Sequence, residues 1–443
     1  MVRRVAFATL GCKVNQSETE AMKELFRERG YQVVRFNQPA DVYVINTCTV
    51  TSVADRKSRQ LVRRASRLAP DATVAVIGCW PQVATDKVKE LPEVDVIIGT
   101  GERSLVVDLV EEAARTKKRV QHVTPVLRKA QFEELPLDYS THTRAFLKIE
   151  DGCNQFCTYC IIPYARGTVR SRSPEKVVAA AEQLAAKGYK EIVLTGIHLG
   201  LYGSDFSPKS DLTVVLKLLE DVPGLERIRI SSLDPAEVTP ELLELVAGSS
   251  KICPHLHIPL QSGSTKILQR MRRPYTAEEY LKLVKRIRQA IPDIGLTTDV
   301  IVGFPGETEE DFADTIEVVK IAGFSRLHVF PYSPRTGTLA AEFPDQVETK
   351  VKEERSHRLI SLGHDLALAF HRRYLGQQLN VLVETERHKG QLVGYSGNYI
   401  RVHFSGDDCL MNQIVPVTAL KAAEDHVYGQ LQQEFPAERR NSS

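Results

Sequence analysis

"GCNQFCTYCII", residues 152–162, puts three thiols, Cys153, Cys157 and Cys160, into one loop directly after the apolar run "AFLKIEDG" at 145–152. A short apolar run bounded by a turn residue reads as a buried strand. The C-x3-C-x2-C spacing lets a single loop close all three sulfurs around a metal centre. Zinc sites commonly take four ligands, often from C-x2-C pairs, and no fourth cysteine or histidine stands in this loop. Three thiolates suit a cubane [4Fe–4S] cluster with one iron left open, with zinc as the alternative.

Outward from that loop, five more strand candidates follow: "EIVLTGIH" (191–198), "RIRISSL" (227–233), "HLHIPL" (255–260), "IGLTTDVIVGF" (294–304) and "RLHVFPYS" (326–333). Helical patterns lie between and after them, among them Pro174–Lys187, Ala236–Val246, Ala277–Ala290 and Glu309–Ala322. Six β/α units predict an incomplete version of the eight-unit barrel, a (β/α)6 domain over 142–370. Residues 1–125 carry continuous apolar runs, "RRVAFATLGC", "ADVYVINTC", "TVAVIGC" and "VDVIIGT", with helices at Glu18–Arg29, Ala54–Leu68 and Leu105–Arg115. Runs without alternation are strands covered on both faces, so this α/β domain is a doubly wound parallel sheet. The aperiodic tract from Val120 to Arg144 reads as a linker, centred on 126–141. After a long helix near Val347–Tyr374, short glycine-punctuated strands over 371–434 predict a small all-β barrel of oligonucleotide-binding type, and 435–443 is a tail.

Three cysteines elsewhere share a position. Cys12, Cys48 and Cys79 each end a strand of the N-terminal sheet, the edge where open parallel sheets bind ligands. Each alone reads as a small buried hydrophobe. Together they predict a second three-thiolate site. Cys253 and Cys409 lack such a context and read as core or incidental. The chain has 443 residues, 42% hydrophobic, enough for two or three cores, and a formal charge of +2 that confines any nucleic-acid surface to a local patch. No window reaches the roughly 18–20 apolar residues of a membrane span. The expected address is the cytoplasm, where thiols stay reduced and serve metals or catalysis.

"LGCKVNQSE" (10–18), "INTCTVTSVADRKSRQ" (45–60), "IGCWPQ" (77–82), "GCNQFCTYCIIPYARGTVRSRS" (152–173), "HIPLQSGSTKILQRMRRPY" (257–275) and "TTDVIVGFPGETEEDF" (297–312) together closely resemble the radical S-adenosylmethionine methylthiotransferases. The resemblance spans nearly the whole chain and implies an N-terminal methylthiotransferase domain, a radical barrel and a C-terminal TRAM domain. It implies that Cys153, Cys157 and Cys160 hold the radical cluster, whose open iron chelates S-adenosylmethionine, with Tyr159 beside the adenine. Cys12, Cys48 and Cys79 match the ligands of an auxiliary [4Fe–4S] cluster that carries the sulfur, which a second S-adenosylmethionine methylates. Thr195 and Gly196 fall where the radical family offers backbone groups to the methionine part. Ser232, Gln261, Thr298 and Asp299 lie at or near strand ends and are further candidates for the pocket lining.

Family members act on a tRNA adenosine beside the anticodon, bearing a threonylcarbamoyl or an isopentenyl group, or on an aspartate of a ribosomal protein. "GCKVNQSE" resembles the threonylcarbamoyl branch, with an electron donor and a sulfur source, both unidentified, completing the reaction. The threonyl carboxylate calls for a cation, and Lys13, Arg272 and Arg273 are the candidates. On a helix, Arg56, Arg59, Arg63 and Arg67 share one face that can track tRNA phosphates, opposite Leu61, Ala65 and Leu68. In the β module, Tyr395, Tyr399, Arg401 and His403 are candidates for stacking on bases. A non-catalytic iron–sulfur RNA-binding redox sensor is the alternative of a different class; it forms no 5′-deoxyadenosine from S-adenosylmethionine.

Overall fold

In the N-terminal third, continuous apolar runs become strands buried on both faces. The computed structural model describes residues 2–126, 131–137 and 143–432. Six parallel strands, β1 (Arg4–Thr9), β2 (Gln32–Val34), β3 (Val42–Thr47), β4 (Thr73–Gly78), β5 (Val96–Ile98) and β6 (Val120–His122), form a sheet ordered β2-β1-β3-β4-β5-β6. Every residue of β3 and β4 is buried. Helices α1 (Lys13–Glu28), α2 (Ser52–Leu68), α3 (Cys79–Val83), α4 (Thr85–Lys89) and α5 (Val106–Thr116) cover the two faces. One face packs Met22, Phe26 and Val110; the other packs Ile45, Val62 and Trp80. The strand order reverses at β1, so the crevice of a doubly wound sheet opens beyond the carboxyl ends of β1 and β3.

Three sequence expectations need correction in this domain. Helix α1 starts at Lys13, not Glu18, because Cys12 is already extended and the Asn15 side chain donates to the Leu10 and Thr47 carbonyls (2.8 and 3.1 Å), fixing the first turn against the sheet. The three-residue strands β2 and β6 were not anticipated. β6 takes the start of the aperiodic tract from Val120 into the sheet by pairing with β5. Within that tract, 127–130 and 138–142 lie outside the described residues, as does the tail from 433.

The middle of the chain forms the six expected barrel strands. After β7 (Arg144–Lys148), a short antiparallel pair, β8 (Glu150–Asp151) and β9 (Arg170–Ser171), brackets the cysteine loop and α6 (Ile162–Arg166). Then come β10 (Glu191–Thr195), β11 (Arg227–Ile230), β12 (His255–His257), β13 (Gly295–Val302) and β14 (Arg326–Pro331). They form two parallel three-stranded sheets, β11-β10-β7 and β12-β13-β14, joined by bridges Ile228↔Ile252 and Ser232↔His257. The outer helices are α7 (Pro174–Ala186), α8 (Leu212–Glu220), α9 (Pro240–Gly248), α10 (Thr265–Arg270), α11 (Ala277–Ala290) and α12 (Glu309–Ala322). The helix expected over Ala236–Val246 is split: a single turn at Pro235–Glu237 ends, and α9 restarts where Thr239 caps Leu242 N and Pro240 takes the first turn.

Helix α13 (Thr349–Arg372) leads to β15 (Gln378–His388), β16 (Gln391–Ser396), β17 (Arg401–Phe404), β18 (Ile414–Ala422) and β19 (Val427–Leu431). They close into a barrel ordered β15-β16-β17-β19-β18; the closing strand β19 was not anticipated. This barrel docks tightly on the central domain. A side chain at Gly295 would stand 2.2 Å from the Asn398 carbonyl oxygen, so only glycine fits there. Among the described residues no helix is long and apolar enough to cross a membrane.

Candidate active site: two cysteine triads and the chamber between them

Strands β1, β3 and β4 are adjacent, and Cys12, Cys48 and Cys79 follow their carboxyl ends by one to three residues. The sheet therefore delivers the three thiols to one crevice. Gly11 makes room for the convergence: a Cβ there would stand 2.8 Å from Cys48 Cβ and 3.3 Å from its Sγ. Burial, together with Cys79 and Cys12 beside it, pushes the Cys48 thiol up to about 12. Burial raises the Cys79 thiol too, although Arg166 opposes this by donating from Nε to Cys79 Sγ at 3.4 Å.

The second triad follows β8. Burial first, then Cys157 and Cys153, push the Cys160 thiol up to about 12. Cys153 Sγ lies 3.2 Å from His198 Nδ1, and Cys157 Sγ accepts from Arg273 Nη1 at 3.4 Å. Crowded thiols of this kind ionise only when a cationic centre takes the sulfur charge, the donor chemistry of a metal cluster. Each triad offers three thiolates, the donor set of a [4Fe–4S] cube with one iron left open.

Two cavities meet between the triads. One, about 230 Å³, is walled by Tyr159, Cys160, Gln261, Ile301 and Tyr332. The other, about 430 Å³, runs from Cys12, Lys13, Thr195, Gly196 and Ser232 to Arg326 and Tyr399. Asp299 and Phe330 line both, so the cavities share a wall. Alternate residues of each strand face inward: Arg326, His328 and Phe330 from β14, His255 and His257 from β12, Thr297 and Asp299 from β13. Asp299 is 3.3 Å from His257 Nε2. Gly196 is required where it stands, since a Cβ would lie 2.6 Å from Glu150 Oε2.

Of the expected pocket residues, Tyr159, Gln261, Thr195, Gly196, Ser232 and Asp299 thus reach a cavity. Thr298 does not: its hydroxyl donates to the Ile258 carbonyl (2.7 Å) and accepts from Leu260 N (2.8 Å), which locks it in the strand. Of the three cations, only Lys13 lines the chamber. Arg272 sits exposed on the turn after α10 with φ +58°. Arg273 is committed to Asp234, to Gln155 Oε1 at 3.2 Å and to Cys157. Arg326, which sequence reasoning overlooked, is in the chamber instead.

Models of known families match in the order of these domains: Uncharacterized protein family UPF0004 over 4–99, the Radical SAM superfamily over 147–319 and the TRAM domain over 372–431. The threonylcarbamoyladenosine tRNA methylthiotransferase MtaB of Bacillus subtilis is 46% identical over 96% of both chains. The tRNA-2-methylthio-N(6)-dimethylallyladenosine synthase of Pelotomaculum thermopropionicum is 38% identical over 99% of both. The chain belongs to the radical S-adenosylmethionine tRNA methylthiotransferases. Among solved structures, the radical S-adenosylmethionine methyltransferase TsrM of Kitasatospora setae, with cobalamin and a [4Fe–4S] cluster bound, matches with a TM-score of 0.54 at 17% identity, covering 75% of this chain and 77% of that one; this likeness concerns the fold alone.

The methylthiotransferase joins its N-terminal sheet to its barrel through buried charges that the sequence did not single out. Glu18, on α1, pairs with Arg166 (2.5 Å), Lys148 (2.8 Å) and Arg103 (3.0 Å). Burial would raise this carboxyl, yet Arg103, Arg166 and Lys148 hold it down to about 2. Arg166 lies six residues after Cys160 in sequence, and its side chain touches Cys79, so the segment that carries the second triad reaches the first. The signal available was its place inside "CIIPYARG".

The methylthiotransferase's basic helix α2 exposes Arg56, Arg63 and Arg67, whereas Arg59 is half-buried over the Trp80 ring at 5.9 Å. The C-terminal aromatics differ from expectation. Tyr395 and Tyr399 stack on each other at 5.1 Å, with Arg144 over Tyr395 (4.7 Å) and Arg229 over Tyr399 (4.5 Å). They seal the seam between barrels, and Tyr399 reaches the chamber. His403 is buried against His426, ring centroids 4.2 Å apart, so it offers no stacking face. Arg401 is half-exposed, 3.9 Å from Asp425.

Proposed function

We propose that this enzyme converts N6-threonylcarbamoyladenosine beside the tRNA anticodon to its 2-methylthio form. The observation that carries the reading is the convergence of two three-thiol sites on one divided chamber, in a chain 46% identical to a protein named for that reaction. Cys153, Cys157 and Cys160 hold the radical [4Fe–4S] cluster, and Cys12, Cys48 and Cys79 hold an auxiliary one. The clusters supply one-electron cleavage of S-adenosylmethionine and a held sulfur, and the chain supplies placement and exclusion of water. Tyr159, Gln261 and Asp299 wall the cavity beside Cys160 that takes S-adenosylmethionine. Thr195, Gly196 and Ser232, the expected S-adenosylmethionine contacts, line the adjoining cavity beside Cys12, where they reach the cofactor's methionine part from the side that takes the adenosine. Lys13, half-buried there, faces the substrate arm. Arg56, Arg63 and Arg67 of α2 meet tRNA phosphates. An external electron donor and a sulfur source complete the turnover.

Mass spectrometry of tRNA nucleosides from cells with and without the gene tests this. Loss of 2-methylthio-threonylcarbamoyladenosine, with its unmethylthiolated precursor accumulating, is expected. Loss of the isopentenyl analogue instead, or unchanged tRNA, contradicts it.

A further inference from the structure

Inside the chamber, Lys13 and Arg326 have no acidic partner among the described residues, unlike the cations around them. Arg144 pairs with Glu384 (2.8 Å), Arg229 with Glu191 (2.7 Å) and Arg273 with Asp234. The one carboxylate lining the chamber, Asp299, is turned to His257. Lys13 begins α1, next to Cys12; Arg326 begins β14, on the same inward face as His328 and Phe330. Two cations from different domains thus face one cavity, neither of them in an ion pair among the described residues. His328 lies in the field of both, as well as of Asp299 and His257.

We propose that Lys13 and Arg326 form a subsite for the carboxylate on the N6 arm of the substrate adenosine. The inference rests on the threonylcarbamoyl reading above and deepens it, since an isopentenyl arm offers nothing to either cation. A guanidinium and an ammonium match a carboxylate through charge-assisted hydrogen bonds, with Lys13 half-buried and Arg326 at the exposed end of the cavity, open to an incoming arm. The wall shared by Asp299 and Phe330 stands between this subsite and the cavity beside Cys160, so an arm anchored at Lys13 and Arg326 orients the base toward both triads. A tRNA phosphate offers similar chemistry, and the test separates the two anions.

Anaerobically reconstituted enzyme is titrated, by fluorescence anisotropy, with anticodon stem-loop RNAs carrying threonylcarbamoyladenosine, its carboxamide or isopentenyladenosine. The native enzyme is expected to prefer the acid over the carboxamide by roughly tenfold or more. Arg326→Gln and Lys13→Gln should each lose most of that preference while binding the carboxamide as before, and Arg326→Lys should keep much of it. Iron content and circular dichroism check that each variant is folded and loaded. Equal weakening toward acid and carboxamide assigns the cations to phosphate and overturns the proposal, as does a preference that survives both substitutions. If the native enzyme itself binds the isopentenyl RNA as well as the acid, the threonylcarbamoyl reading fails, and the subsite with it.

Discussion

Glu18 and Arg166 show what one residue pair does here. A carboxylate buried this deeply is stable only with its partners, because an unpaired charge in the interior costs several kcal/mol. Arg166→Met removes the closest of the three cations and frees the Cys79 sulfur of its donor. The expected loss is about 3–5 kcal/mol, visible as a lowered urea midpoint in the fluorescence of Trp80, the single tryptophan, which is buried in the N-terminal sheet. An unchanged midpoint would show that the remaining cations suffice. None of this was legible from the sequence, where Glu18 and Arg166 are 148 residues apart and each reads as ordinary surface charge. Cys153, Cys157 and Cys160 were legible because their spacing is local. Arg272 and Arg273 misled, since adjacent arginines on a turn point apart: one goes to solvent and one to Asp234.

At the scale of elements, α2 combines two jobs that the sequence presented as one stripe. Val62 and Ala65 pack on the sheet, Arg59 leans on Trp80, and Arg56, Arg63 and Arg67 stay in solvent. Replacing those three by glutamine should weaken tRNA binding and make its dependence on salt shallower, because each phosphate contact releases counterions. Arg59→Ala should leave the salt dependence in place. An unaltered slope in the triple variant would remove α2 from the RNA surface. Long strands and helices were readable from their periods. The strands that were missed, β2, β6, β9 and β19, have two to five residues and take their place from neighbours in the sheet, hairpin or barrel, which no local pattern records.

At the scale of the molecule, the chamber belongs to no single domain. The N-terminal sheet brings Cys12 and Lys13, the central barrel brings Thr195, Asp299 and Arg326, and the C-terminal barrel brings Tyr399. The last is packed into the molecule rather than appended to it. Arg227 of β11 donates to the Asn380 and Tyr395 carbonyls (2.6 and 3.0 Å), and Arg229 to that of Gly397 (2.9 Å), so removing the small barrel would strip buried guanidinium groups of their partners. The strand-end placement of Cys12, Cys48 and Cys79 was readable because parallel strands all present the same edge. Their neighbours across domains were not. That these two triads hold two clusters is decided by iron and sulfide analysis with Mössbauer spectroscopy of the reconstituted protein. Two cubes give about eight irons per chain, falling to about four when Cys12, Cys48 and Cys79 are replaced together by alanine. About four irons in the native chain, or no loss in the triple variant, would contradict it.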